Sequence, residues 1–193
     1  MAKPSQADLK KKEEFKASLI KKVGGEKASE KSLCTIVRSN IRQTWMMHPV
    51  RLLKLELTRI PDMDPTTRTK WLWECECCKG RFKGPDVVTD HIKGEHQLKS
   101  FADMEQFAKS ILHVSLDDLQ ILCHNCHDIK TYSERYDVSL EYAETELKVI
   151  DWLKPKVTSV DKQKKFLTSH NLPCNNGPVR RDSYRIYLNE FSA

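Results

Sequence analysis

Two cysteine pairs of identical spacing, Cys75-x2-Cys78 and Cys123-x2-Cys126, constrain this chain more than any other feature. A C-x2-C turn directs both of its sulfurs at one point, and two such turns complete the tetrahedral four-sulfur shell that Zn²⁺ favours. The segment 79–122 between the pairs is long enough to fold as a closed loop. A structural zinc site of this kind supplies on the order of ten kcal/mol of folding free energy. That contribution matters here, because 39% of the residues are hydrophobic against 31% charged, and a large buried core is not expected. Cys77 stands inside the first pair and competes as a ligand, although the two-residue spacing favours Cys78. Cys34 and Cys174 stand alone and are expected to be ordinary free thiols. Seven cysteines behind a start with no apolar leader point to a reducing, cytoplasmic compartment and away from secretion.

Composition divides the flanking segments. Residues 1–32 carry nine lysines and five acidic residues and are expected to form a solvated basic helix or arm. Residues 33–70 read as an arginine-bearing helical lead-in, with apolar residues at mixed spacings of three and four and Pro49 in the first turn of its second helix. Trp45, Met46 and Met47 are expected in the core or between helices. PDMDPTTRT, beginning at Pro61, is a loop. Trp71 and Trp73 alternate into the first cysteine pair, and VVTDHI, beginning at Val87, has the β-branched character of a short strand. Residues 99–113 and 127–136 read as helices, and LEYAETELKVIDWL from Leu140 is an amphipathic helix stopped by Pro155. Residues 137–193 close with a helix, a turn at NNGP and a second helix. The expected fold class is α+β, mainly helical. No apolar run approaches the roughly 20 residues that span a bilayer, so no membrane partner is expected.

A four-thiolate zinc has no open coordination position and is not a catalyst. Asp90-His91 lies between the cysteine pairs, and His127 directly follows the last cysteine. A carboxylate oxygen from Asp90 and an imidazole from His127 suit a divalent ion such as Mg²⁺ or Mn²⁺, with waters and a substrate phosphate completing the shell. His91, with an ordinary imidazole pKa near ~6.5, is suited to take a proton from water at neutral pH. His96 is a reserve candidate by its nearness to Asp90. No small-molecule organic cofactor is expected, and protein partners are not legible.

Taken in order, C-x2-C, DHI and L-x-x-LC-x2-CH-x2-K resemble the pattern of the HNH (ββα-metal) endonuclease family, most nearly the small bacteriophage HNH proteins with a four-cysteine zinc site. The resemblance covers about residues 71–136, and RQTWMMHPVRLLKLELTR is similar to the arginine-rich lead-in of those proteins. It implies a ββα-metal nuclease core on a zinc-knuckle frame, with flanking helices on both sides. It also implies that Asp90 and His127 hold the catalytic ion while His91 activates the attacking water. Asp118 stands where the family usually has Asn, a residue that helps position the hairpin loop and the general base. The departure keeps hydrogen-bond acceptors but adds a negative charge, which acts to raise the His91 pKa. The implied reaction is metal-assisted hydrolysis of double-stranded DNA, leaving 5′-phosphate and 3′-hydroxyl ends.

Arg81 and Lys130 are candidate phosphate contacts. Arg180 and Arg181, in the helix–loop–helix segment near the C-terminus, are candidates for an accessory DNA contact. The formal charge of +6 suits such a partner. The alternative is a non-catalytic, zinc-stabilised module that binds DNA or a protein, for which Asp90, His91 and His127 have no use. An RNA substrate ranks lower, because the chain lacks base-stacking aromatics in the arrangement of RNA modules.

Overall fold

Local chemistry sets most of the element boundaries. In the computed structural model, residues 3–25, 29–94 and 97–191 are described, so part of the basic N-terminal segment lies outside them. Helix α1 (Gln6–Val23) starts at Ser5, whose hydroxyl accepts from the Asp8 amide while the Asp8 carboxylate accepts from the Ser5 amide. It ends at Gly24, whose φ of 84° is the left-handed conformation that closes a helix without a side-chain clash. Helix α2 (Glu30–Met46) is capped by Ser29, and α3 (Pro49–Thr58) carries Pro49 in its first turn, where a missing N–H costs nothing. Trp45 is buried, but Met46 and Met47 are 55% and 74% exposed, contrary to the expected burial. Successive residues at the end of α2 rotate by about 100° each, so only Trp45 lies on the buried face.

The described residues form two compact units, residues 1–121 and 122–193, the division falling within one strand. The first unit carries α1 to α3, then a three-stranded sheet. Its strands β1 (Arg59–Pro61), β2 (Trp71–Glu74) and β3 (Arg81–Phe82) run antiparallel in that order, with Trp73 opposite both Arg59 and Phe82. Strand β4 (Val87–His91) pairs with β5 (Leu119–Cys123) in a separate two-stranded sheet, and α4 (Met104–Leu112) lies between them in sequence. Along β4, Val87, Thr89 and His91 are buried while Val88 and Asp90 are half-buried, the period-two pattern of a strand with one core face. The core gathers Cys34, Trp45, Leu98, Phe107, Ile111 and Leu119, so Cys34 serves as a small apolar residue.

The second unit consists of α5 (His124–Tyr136), α6 (Leu140–Leu153), α7 (Val160–Ser169) and α8 (Gly177–Phe191). Helix α6 buries Ala143, Glu146 and Val149, a stripe spaced by threes with a carboxylate at its centre. Glu146 is 1% exposed and accepts from Arg181 Nε at 2.7 Å and Arg185 Nε at 2.8 Å. The buried Gln163 of α7 accepts from Arg180 Nε at 3.0 Å and donates to the Thr158 carbonyl at 2.8 Å. Trp152 and Tyr184 stack with ring centroids 4.0 Å apart. Among the described residues no helix is long and apolar enough to cross a membrane.

Candidate functional site

The first cysteine turn is closed by its own backbone. The Cys75 amide donates to the Gly80 carbonyl at 2.8 Å, and the Lys79 amide donates to the Cys75 carbonyl at 2.9 Å. Lys79 takes a left-handed φ of 61°, and Gly80 packs so near Phe82 that a Cβ there would lie 2.8 Å from the ring. The second turn begins α5, where Cys123 is the N-cap and its Sγ accepts from the Cys126 amide at 3.5 Å.

The sulfurs of Cys75, Cys78, Cys123 and Cys126 all lie within 4.8 Å of one another. A Zn–S length of about 2.3 Å gives a tetrahedron with edges of about 3.8 Å, so a small contraction around the ion completes the shell. The quartet therefore fits zinc. Cys75, Cys123 and Cys126 are buried and Cys77 and Cys78 both exposed, so it is the convergence of the Cys78 sulfur with the other three that favours Cys78 over Cys77.

Glu76, between the two cysteines of the first pair, braces the quartet in a way the sequence did not announce. Its amide donates to the Ile121 carbonyl at 2.8 Å, and its carboxylate accepts from the Ile121 amide at 2.9 Å. Lys54 Nζ lies 3.3 Å from the same carboxylate oxygen. One residue beside the first ligand thus grips β5 two residues before the third ligand, by two hydrogen bonds. The available signal was an acid between two ligands, where a turn alone would accept any polar residue.

Asp90 and His91 end β4 on opposite faces. Asp90 accepts from Gln120 Nε2 at 3.0 Å, so it is tied to β5. His91 is 6% exposed, with its ring 4.4 Å from that of Trp45 and its Nε2 3.2 Å from the Ile111 carbonyl oxygen. A carbonyl only accepts, so Nε2 carries the proton and Nδ1 the lone pair of the neutral ring. His91 also lines a cleft of about 310 Å³ with Lys93, Ser110, His113, Asp117 and Asp118, which gives solvent an approach.

The Asp118 carboxylate is committed to Ser115, accepting from its amide at 2.8 Å and its hydroxyl at 2.7 Å. Those bonds hold the carboxyl below the usual aspartate range. Its backbone carbonyl accepts from the Ile92 amide at 2.9 Å. Asp118 thus fixes the loop entering β5 with its side chain and the end of β4 with its backbone.

His127 sits in the first turn of α5, its Nδ1 3.6 Å from Asp128 Oδ1. His96 lies outside the described residues. Arg81 is exposed on β3 opposite Glu74. Lys130 pairs with Glu134 at 2.7 Å, and Arg180 and Arg181 engage Gln163 and Glu146 as described above. Among the described residues, the cysteine quartet is the group of three or more His, Cys, Asp or Glu side chains whose ligand atoms converge this closely. Comparison with models of known protein families, with characterised proteins and with solved structures returns no match.

Proposed function

We propose that the chain is a metal-dependent endonuclease of the HNH type, hydrolysing phosphodiester bonds in double-stranded DNA. The observation that supports this reading is the strand–strand–helix order of β4, β5 and α5. Asp90 and His91 end the first strand, and His127 follows the last cysteine in the first turn of the helix.

In this reading the four thiolates hold a structural zinc, and Asp90 and His127 each contribute a ligand to a separate Mg²⁺ or Mn²⁺. When bound, that ion supplies Lewis-acid stabilisation of the charge building on the phosphate oxygens. His91 takes the proton from the attacking water, with the lone pair kept on Nδ1 by the Ile111 carbonyl beside Nε2. Asp118 holds the loop and the strand end against each other. The exposed Arg81 and the formal charge of +6 favour a polyanionic substrate, with Lys130, Arg180 and Arg181 as further proposed phosphate contacts.

A second reading, a zinc-stabilised binding module without catalysis, is favoured by the burial of His91 against Trp45, which is also how a core histidine sits. Conversion of supercoiled plasmid to nicked or linear product separates the two. The nuclease reading expects cleavage by the wild type in Mg²⁺ or Mn²⁺ and a loss of at least about 100-fold in His91→Ala, with DNA binding retained. Equal binding by both proteins with cleavage by neither leaves only the binding module.

A further inference from the structure

Two of the contacts of His91 differ in what they fix. Trp45, at the end of α2, lays its ring against the imidazole at 4.4 Å between centroids with 36° between planes. The Ile111 carbonyl, in α4, meets Nε2 at 3.2 Å. A tilted aromatic ring at this distance leaves the imidazole little room to swing and so restricts its plane. A hydrogen bond in that plane sets its rotation and its tautomer.

Trp45 also packs against a second histidine. The ring of His48, the residue that caps α3, stacks on it at 5.4 Å between centroids and 30°. Among the described residues the buried His48 Nδ1 finds no hydrogen-bond partner, and the ring packs on Trp45. His48 and His91 therefore each contact Trp45, a connected set of three rings drawn from the α2–α3 corner and the end of β4.

We propose that Trp45, backed by His48, is a positioning residue for the reaction: it holds the plane of His91, while the Ile111 carbonyl keeps the His91 proton on Nε2. The inference rests on His91 being the general base of the proposed nuclease. A base must meet its water within hydrogen-bond reach, and a misplacement of about 1 Å costs up to about 100-fold in rate. Trp45 is 9% exposed, too deep to grip DNA, so its loss should lower kcat and leave KM unchanged.

The test uses the full-length, zinc-loaded protein and a duplex DNA substrate. Nitrogen-15 spectra of the imidazoles at about pH 8, above the ordinary histidine range, should show wild-type His91 protonated on Nε2. Trp45→Leu should lower kcat by about 10- to 100-fold with KM within about twofold, and should move the His91 signals toward a mixture of tautomers. Trp45→Phe, which keeps a ring, should restore kcat to within about threefold and restore the signals. His48→Ala should produce a smaller loss in the same direction.

A folded Trp45→Leu protein with wild-type kcat and unchanged His91 signals overturns the proposal, and so does a wild-type His91 protonated on Nδ1. If Trp45→Leu fails to fold, Trp45→Phe and His48→Ala decide: wild-type behaviour in the first with a loss in the second supports the positioning role, and no change in His48→Ala overturns it. If the wild type does not cut DNA, the nuclease reading fails, while the His91 spectra still test these two contacts.

Discussion

Glu146→Gln perturbs the most deeply buried charge among the described residues and leaves its volume intact. The carboxylate accepts from Arg181 Nε and Nη2 and from Arg185 Nε, and Arg185 is further tied to Asp182 at 2.8 Å. Hydrogen bonds to charged groups contribute about 1.5–3 kcal/mol each, and breaking a buried ion pair costs about 3–5 kcal/mol. The arginine side chains remain 41% and 24% exposed and can recover hydration, and glutamine keeps one acceptor oxygen. The expected loss is therefore about 2–3 kcal/mol, below the full cost of a buried orphan charge. With a urea m-value of about 2 kcal/mol/M, the unfolding midpoint should fall by about 1–1.5 M.

The pH dependence carries a sign. Burial pushes the Glu146 carboxyl up, but hydrogen bonds from Arg185 and Arg181, and then their charges, outweigh it and leave the group below its ordinary value of 4.5. A depressed folded pKa contributes stability above the unfolded value and loses it as pH falls through the folded one. The gap between wild type and Glu146→Gln should thus be full at neutral pH and close on acidification below about 4.5. A midpoint unchanged within about 0.2 M, or a gap that widens in acid, refutes the reasoning.

The metal frame yields two further expectations. The wild type should carry one zinc per chain by elemental analysis; Cys126→Ser should lose it and melt at least about 10 °C lower, whereas Cys77→Ser should leave both properties unchanged. Glu76→Ala removes the carboxylate grip on β5, and a competitive chelator titration should show zinc affinity reduced by about tenfold; an unchanged affinity would mean that the backbone bond to Ile121 suffices.

Residues whose chemistry is local were legible in the sequence, and those defined by distant partners were not. The cysteine spacing identified the quartet because a C-x2-C turn is geometric on its own. Pro49 at the start of α3, Pro155 after α6 and the β-branched run of β4 follow from backbone rules that need no tertiary context. Strands β1 and β3, of three and two residues, are too short to carry an alternation, and they exist only because β2 lies between them.

The partner of Arg181 shows the same limit from the other side. An exposed arginine and one clamped to a buried carboxylate are identical in sequence. The visible clue was Glu146 itself, an acid midway along the apolar stripe of Ala143 and Val149. The approach of Trp45 to His91 spans two segments with no pattern linking them, and only the folded chain brings them together.

The central claim is that one ion is a sulfur-bound fastening while a different, exchangeable ion serves hydrolysis. The measurement that tests it most directly is plasmid cleavage by zinc-loaded protein across a Mg²⁺ titration, with bound zinc quantified in every sample. Cleavage should rise from nothing and saturate with added Mg²⁺ at constant zinc content, and should be absent in Asp90→Ala. Cleavage that tracks zinc and ignores Mg²⁺, or no cleavage at any Mg²⁺ or Mn²⁺ concentration, would contradict it.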